Sequence, residues 1–211
     1  MTTRSRSLHK CRLLASAAFG LLVTLSGLML VGCSEKKTSF HAMDVTGAPW
    51  GQTYSLPDIH GKTVTPEQFK GKVTAVYFGF LYCPDACPTA LTKLNAVKER
   101  LGKQADKLQI VFISVDPERD VPEKLGPYLK SFDPSIVGLR GSMEQTQAVA
   151  KDFRVFFKKV ETKNSAKDPM AYTIDHTTFI YVFDPQATLR LVVPHELSED
   201  KIAEDLRHLI N

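Results

Sequence analysis

The chain has 211 residues, 43% of them hydrophobic and 24% charged, with a formal net charge of +4. That length fits one domain with appendages, and the composition excludes both a disordered chain and a multi-pass membrane protein. The charge is local: Arg4, Arg6, Lys10 and Arg12 lie in the first 32 residues without an acid, leaving 23 basic against 23 acidic residues elsewhere, so no nucleic-acid partner is expected.

Those four cations precede an uncharged, mostly apolar stretch, residues 13–32, followed by Cys33. A positive segment leading into an apolar one is the signature of an export signal. Leu30-Val31-Gly32-Cys33 resembles the bacterial lipobox, whose cysteine is lipidated and becomes the mature N-terminus. The same run is long enough to cross a bilayer as an uncleaved anchor. The expected organisation is a signal or membrane segment over 1–32, a tether over 33–49 and a folded domain over 50–211. Cys11 falls in the leader and Cys33 at its end, so only Cys83 and Cys87 belong to the domain. Two thiols make no disulfide scaffold, and a pair this close in sequence points to chemistry.

Along the domain, residues 54–56 and 63–64 flank Asp58-Ile59-His60-Gly61 as a hairpin turning at Gly61. Residues 72–80 (KVTAVYFGF) form a nearly continuous apolar run, as a strand buried on both faces requires. Leu91, Leu94, Val97 and Leu101 recur at helical spacing. Residues 109–115 read as a second buried strand and 122–132 as a helix after the Asp116–Asp120 turn. Ser142 with Gln145 is a capping box opening a helix through Phe153. Residues 161–171 are a polar insertion expected to form a mobile loop. Strands are expected over 177–183 and 189–193, with a closing amphipathic helix at Ile202, Leu206 and Leu209. This alternation predicts an α/β domain: a central mixed sheet with helices on both faces and an N-terminal β-hairpin.

Cys83-Pro84-Asp85-Ala86-Cys87-Pro88 lies where a buried strand gives way to a helix. Proline is comfortable only in a first helical turn, so the regular helix is expected to begin near Cys87. Both sulfurs then sit at a positive helix terminus that favours thiolate. Such a pair serves either as a redox couple cycling between dithiol and disulfide, or as two soft metal ligands needing a third. Of six histidines, His9 is in the leader, His41 in the tether, His60 in a turn and His208 on the closing helix. His176, entering a strand behind Asp175, and His195, after Pro194, remain as candidate third ligands.

FGFLYCPDACPTALTKL, FISVDPERDVPEKLGPYLKSFDP and YTIDHTTFIYVFDP, with DVTGAPWGQTYSLPDIHGK upstream, together resemble the SCO/SenC proteins. The resemblance runs from about Asp44 to the C-terminus. It implies a thioredoxin-like fold binding one copper ion, as Cu(I) or Cu(II), through Cys83, Cys87 and His176. Asp175 would orient the imidazole from outside the ligand set. It further implies a metallochaperone that delivers copper to the CuA centre of cytochrome c oxidase subunit II during oxidase assembly. Such a protein would be held by a lipidated Cys33 on the periplasmic face of a bacterial membrane, the inner one in preference to the outer. The alternatives are an envelope thiol–disulfide reductase in which Cys83 and Cys87 are the catalytic pair, and a copper or redox sensor. Asp175-His176-Thr177 lacks the proline that thioredoxins carry in the matching loop, which favours the chaperone. One departure is the turn Asp184-Pro185-Gln186-Ala187, which lacks the glycine usual there.

Overall fold

The computed structural model describes residues 39–210. The expected leader, its lipobox and Cys33 lie outside the described residues. Among those described, no helix is long and apolar enough to cross a membrane.

The elements follow in the order β1 (Met43–Asp44), β2 (Leu56–Pro57), β3 (Thr63–Val64), β4 (Val73–Gly79), α1 (Ala86–Leu101), β5 (Leu108–Ser114) and α2 (Pro122–Phe132). After them come β6 (Val137–Leu139), α3 (Met143–Asp152), β7 (Phe157–Glu161), β8 (Tyr172–His176), β9 (Ile180–Phe183), β10 (Leu189–Val193) and α4 (Glu199–Ile210). Six strands form one sheet in the order β1-β10-β9-β4-β5-β6. The pairs β4–β5 and β5–β6 are parallel, and the others antiparallel. This is the thioredoxin-like α/β architecture.

β4 and β5 are buried along their whole length, which is why their sequences run apolar without alternation. On one face Phe78 meets Phe153, at the end of α3, and Tyr181. On the other, Gly79 lies beneath Cys87 of α1. The capping box at α3 is present as predicted: Gln145 N–H donates to Ser142 Oγ at 3.2 Å, and Ser142 N–H to Gln145 Oε1 at 2.8 Å. The β2–β3 hairpin turns at Gly61 with φ of +82°, and its Pro57 carbonyl accepts from Arg140 N–H beside the outer edge of β6. An isolated bridge between Asp58 and Leu139 continues this contact at the last residue of β6.

Two expectations change. The folded domain starts before residue 50, because β1 pairs with β10 and the buried Asp205 carboxylate accepts from His41 N–H and Ala42 N–H. A two-residue edge strand with both side chains exposed leaves no hydrophobic pattern to read. The strand expected over 177–183 is confined to Ile180–Phe183, and residues 172–176 instead pair with β7 in a separate two-stranded sheet. The polar insertion is the connection of that hairpin, its base tied by Thr162 and Ser165 hydroxyls donating to the Ala171 carbonyl.

Candidate metal centre

β4 ends at Gly79, and the chain turns through Phe80–Cys83, with Cys83 N–H donating to the Phe80 carbonyl at 3.2 Å. Asp85 precedes α1 at its N-cap position, where its carbonyl accepts from Thr89 N–H at 3.1 Å and its carboxylate from the Thr89 hydroxyl at 3.2 Å. Pro88 falls in the first helical turn, where its missing N–H costs nothing. Cys87, in the same turn, is fully buried, while Cys83 on the preceding loop is half-buried. Both are free thiols, and the Cys87 N–H points at Cys83 Sγ at 3.4 Å. A glycine is needed beneath them. A Cβ on Gly79 would stand 2.8 Å from Cys87 Sγ and 2.9 Å from the Phe112 ring.

His176 arrives from the other sheet, at the end of β8 and opposite Phe157 of β7. Its ring meets Phe80 edge-on at 5.6 Å and Tyr77 at 6.2 Å between centroids. Nδ1 lies 2.9 Å from the Thr177 carbonyl, which can only accept, so Nδ1 carries the proton. Nε2 is left with a lone pair, 3.5 Å from Cys87 Sγ. The role expected of Asp175 therefore falls to the Thr177 backbone. Strand alternation puts Asp175 on the opposite side of β8 from His176, and it is exposed. His195 stays in the β10–α4 connection, where its carbonyl accepts from Lys93 Nζ.

Cys83, Cys87 and His176 thus converge, with one donor atom from each lying within 4.8 Å of the others. Two sulfurs and one imidazole nitrogen are a soft donor set that suits Cu(I) or zinc. The third ligand position of a structural zinc site is filled but the fourth is not, among the described residues. The set fits copper better.

The SCO1/SenC family model matches residues 43–211. The chain belongs to the SCO1/SenC family. It is 42% identical over 137 residues to protein sco1 of Schizosaccharomyces pombe, covering 64% of this chain and 51% of that one. The chain spans about half the length of the yeast proteins it matches. Among solved structures, Bradyrhizobium japonicum ScoI with copper bound is 40% identical, with a TM-score of 0.65 over 74% of this chain and 97% of that one. Apo Sco1 from Thermus thermophilus is 35% identical, with a TM-score of 0.70 over 82% and 99%.

In this SCO1/SenC chain the two thiols are made unequal by their surroundings. A hydrogen bond from the Cys87 thiol, aided by the N–H groups of Asp85 and Cys87, pulls the Cys83 pKa far below that of an ordinary thiol. The same bond, with burial and the neighbouring thiolate, pushes Cys87 up. Burial, and then the adjacent sulfurs, also hold the hydroxyls of Tyr77 and Tyr128 protonated. Sequence reasoning missed Gly79, Phe80 and Thr177 as parts of the site. Only Gly79 left a signal: a glycine inside a buried strand marks close approach of another group.

Proposed function

We propose that this protein is a copper metallochaperone whose cargo is held by Cys83, Cys87 and His176 and passed to the CuA centre of cytochrome c oxidase subunit II. The observation that carries the reading is the convergence of two sulfurs and an imidazole lone pair at the half-exposed end of β4. The relative from Bradyrhizobium japonicum, described with copper bound, supports it. Cu(I) tolerates low coordination, so three ligands bind it while leaving room for a recipient's ligand to enter and displace them one at a time. Cys83, the more exposed and more anionic sulfur, is the natural point of exchange. The imidazole adds a nitrogen donor that favours Cu(II), giving a centre able to hold either oxidation state. Tyr82 and Phe156, both large and exposed, flank the sulfurs and the histidine, and give a recipient apolar surface to rest on.

The low Cys83 pKa favours a second reading, reduction of the recipient's own cysteines. The Cys83 thiolate would attack a recipient disulfide and release one thiolate. Cys87, deprotonated, would then attack Cys83, leaving a Cys83–Cys87 disulfide and a recipient dithiol. The wider placement proposed is a leader over 1–32 and lipidation at Cys33, with the domain facing the periplasm.

A copper titration of the reduced protein beside His176→Ala separates the two activities. The chaperone reading expects one copper per chain and a Cu(II) affinity lower by at least about tenfold in the variant. Parent-like copper binding by His176→Ala, together with disulfide reduction that needs only the cysteines, would hand the assignment to the reductase. An intact mass showing an unprocessed Met1 would dispose of the lipid anchor.

A further inference from the structure

The sulfurs and the histidine belong to different sheets, since β8 pairs with β7 while the cysteines leave the end of β4. Three residues, 177–179, join His176 to Ile180 of β9, which pairs with Tyr77 of β4, so the chain brings the two near each other and leaves their final setting to the side chains between them. The Asp116–Asp120 turn after β5 stands in that place. We propose that Arg119 is the positioning residue that sets His176 against the cysteines; the proposal rests on the copper reading of that cluster.

Arg119 is 8% exposed, although it lies on a turn. Its Nε donates to Asp116 Oδ2 at 2.5 Å, and its Nη1 to the carbonyls of Met170 at 3.1 Å and Tyr172 at 2.7 Å. Tyr172 opens β8, four residues before His176, and its hydroxyl donates to Asp116 Oδ1 at 2.7 Å. One acid–arginine pair thus grips the histidine strand by backbone and side chain together. The guanidinium carbon also lies 3.6 Å from the Tyr172 ring centroid, 4.9 Å from that of Tyr82 and 5.9 Å from that of Phe80. Tyr82 adjoins Cys83, and Phe80 presents its ring to His176.

The grip on the cysteine loop is reinforced by Asp120, whose carboxylate accepts from Leu81 N–H at 3.2 Å and from Ser114 Oγ at 2.6 Å. A buried cation is retained only where it is paired and hydrogen-bonded, and Nη2 is buried without a partner. A planar fork that donates in two directions while stacking on aromatic faces is something lysine cannot reproduce. A turn that needed only closing would not require a cation that reaches both halves of the cluster.

The test uses Arg119→Lys, alone and combined with His176→Ala, in the purified reduced protein. Without metal, the imidazole proton resonances of His176 should carry ring-current shifts from Phe80 and Tyr77. In Arg119→Lys they should move toward unstructured values, while methyl resonances of Leu94 in the core stay in place. With metal, Cu(II) affinity should fall at least about tenfold, Cu(I) affinity should stay within about threefold, and Arg119→Lys should add nothing once His176 is alanine. Should Arg119→Lys not fold, Tyr172→Leu, which removes the ring under the guanidinium, is read in the same way.

Unchanged His176 resonances overturn the proposal, as does equal weakening of Cu(I) and Cu(II). So does a Cu(II) effect that persists in the His176→Ala background. If the parent binds no copper but Arg119→Lys moves the His176 resonances, the copper reading fails while the positioning role stands.

Discussion

Cys83 and Cys87 are four residues apart and chemically identical, yet their surroundings assign them opposite protonation. Cys83 Sγ receives hydrogen bonds from the Cys87 thiol and from backbone N–H groups at the start of α1, so its charge is stabilised where it stands. Cys87 is enclosed by Tyr77, Phe80 and the β4 backbone, and gives up its proton last. In the metal-free reduced protein, iodoacetamide should therefore label Cys83 first, at a rate nearly flat between pH 5.5 and 7.5. An ordinary thiol would speed up about a hundredfold over that range, because only its thiolate reacts. Peptide mapping after brief labelling decides it: a hundredfold slope, or Cys87 labelled ahead of Cys83, would remove the basis for the asymmetry.

At the scale of elements, the β9–β10 hairpin carries a visible strain. Its turn is organised by Asp184, whose carboxylate accepts from Gln186 N–H and Thr188 N–H at 3.0 Å each, and whose carbonyl accepts from Ala187 N–H at 2.9 Å. The geometry places Ala187 at φ of +65°, a region that glycine enters without penalty and alanine does not. Ala187→Gly should raise the unfolding free energy by about 0.5–1 kcal/mol in urea denaturation at unchanged m value. A loss of stability would mean that the chain entropy of glycine outweighs the relief of strain. The missing glycine was readable from the residues alone, as were β4, β5, α1 and the capping box of α3. Each of these carries a local signal: an unbroken apolar run, a 3.6-residue period, or Ser142 three residues before Gln145. β1 and the β7–β8 hairpin carry none. β7 reads FKKVE and is largely exposed, so its register is fixed by contact with Tyr172–His176 rather than by a buried face of its own. Arg119 was visible as part of a motif, but a turn and a tether between two sheets look alike until their neighbours are known.

The whole molecule builds its centre at a cost in stability, and Asp120 locates part of that cost. Its carboxylate is fully buried, and burial raises its pKa from the ordinary 3.8 to about 6 against the opposing hydrogen bonds of Ser114 and Leu81. A proton held more tightly in the folded state than in the unfolded one stabilises the fold. That contribution is complete below about pH 4 and disappears as the pH rises through about 6. A shift of about two units corresponds to about 3 kcal/mol. Asp120→Asn keeps the shape without the titration, and every other ionisable group is shared with the parent. The stability of the parent relative to Asp120→Asn should thus fall by about 3 kcal/mol between pH 4 and pH 8, measured as the difference between two urea titrations at each pH. A pH-independent difference would mean that Asp120 titrates normally and that its burial is compensated within the turn. If the difference falls as expected, the turn that ties the cysteine loop to the body of the protein holds an ionised carboxylate near neutral pH, retained because Leu81 and Ser114 need its oxygens.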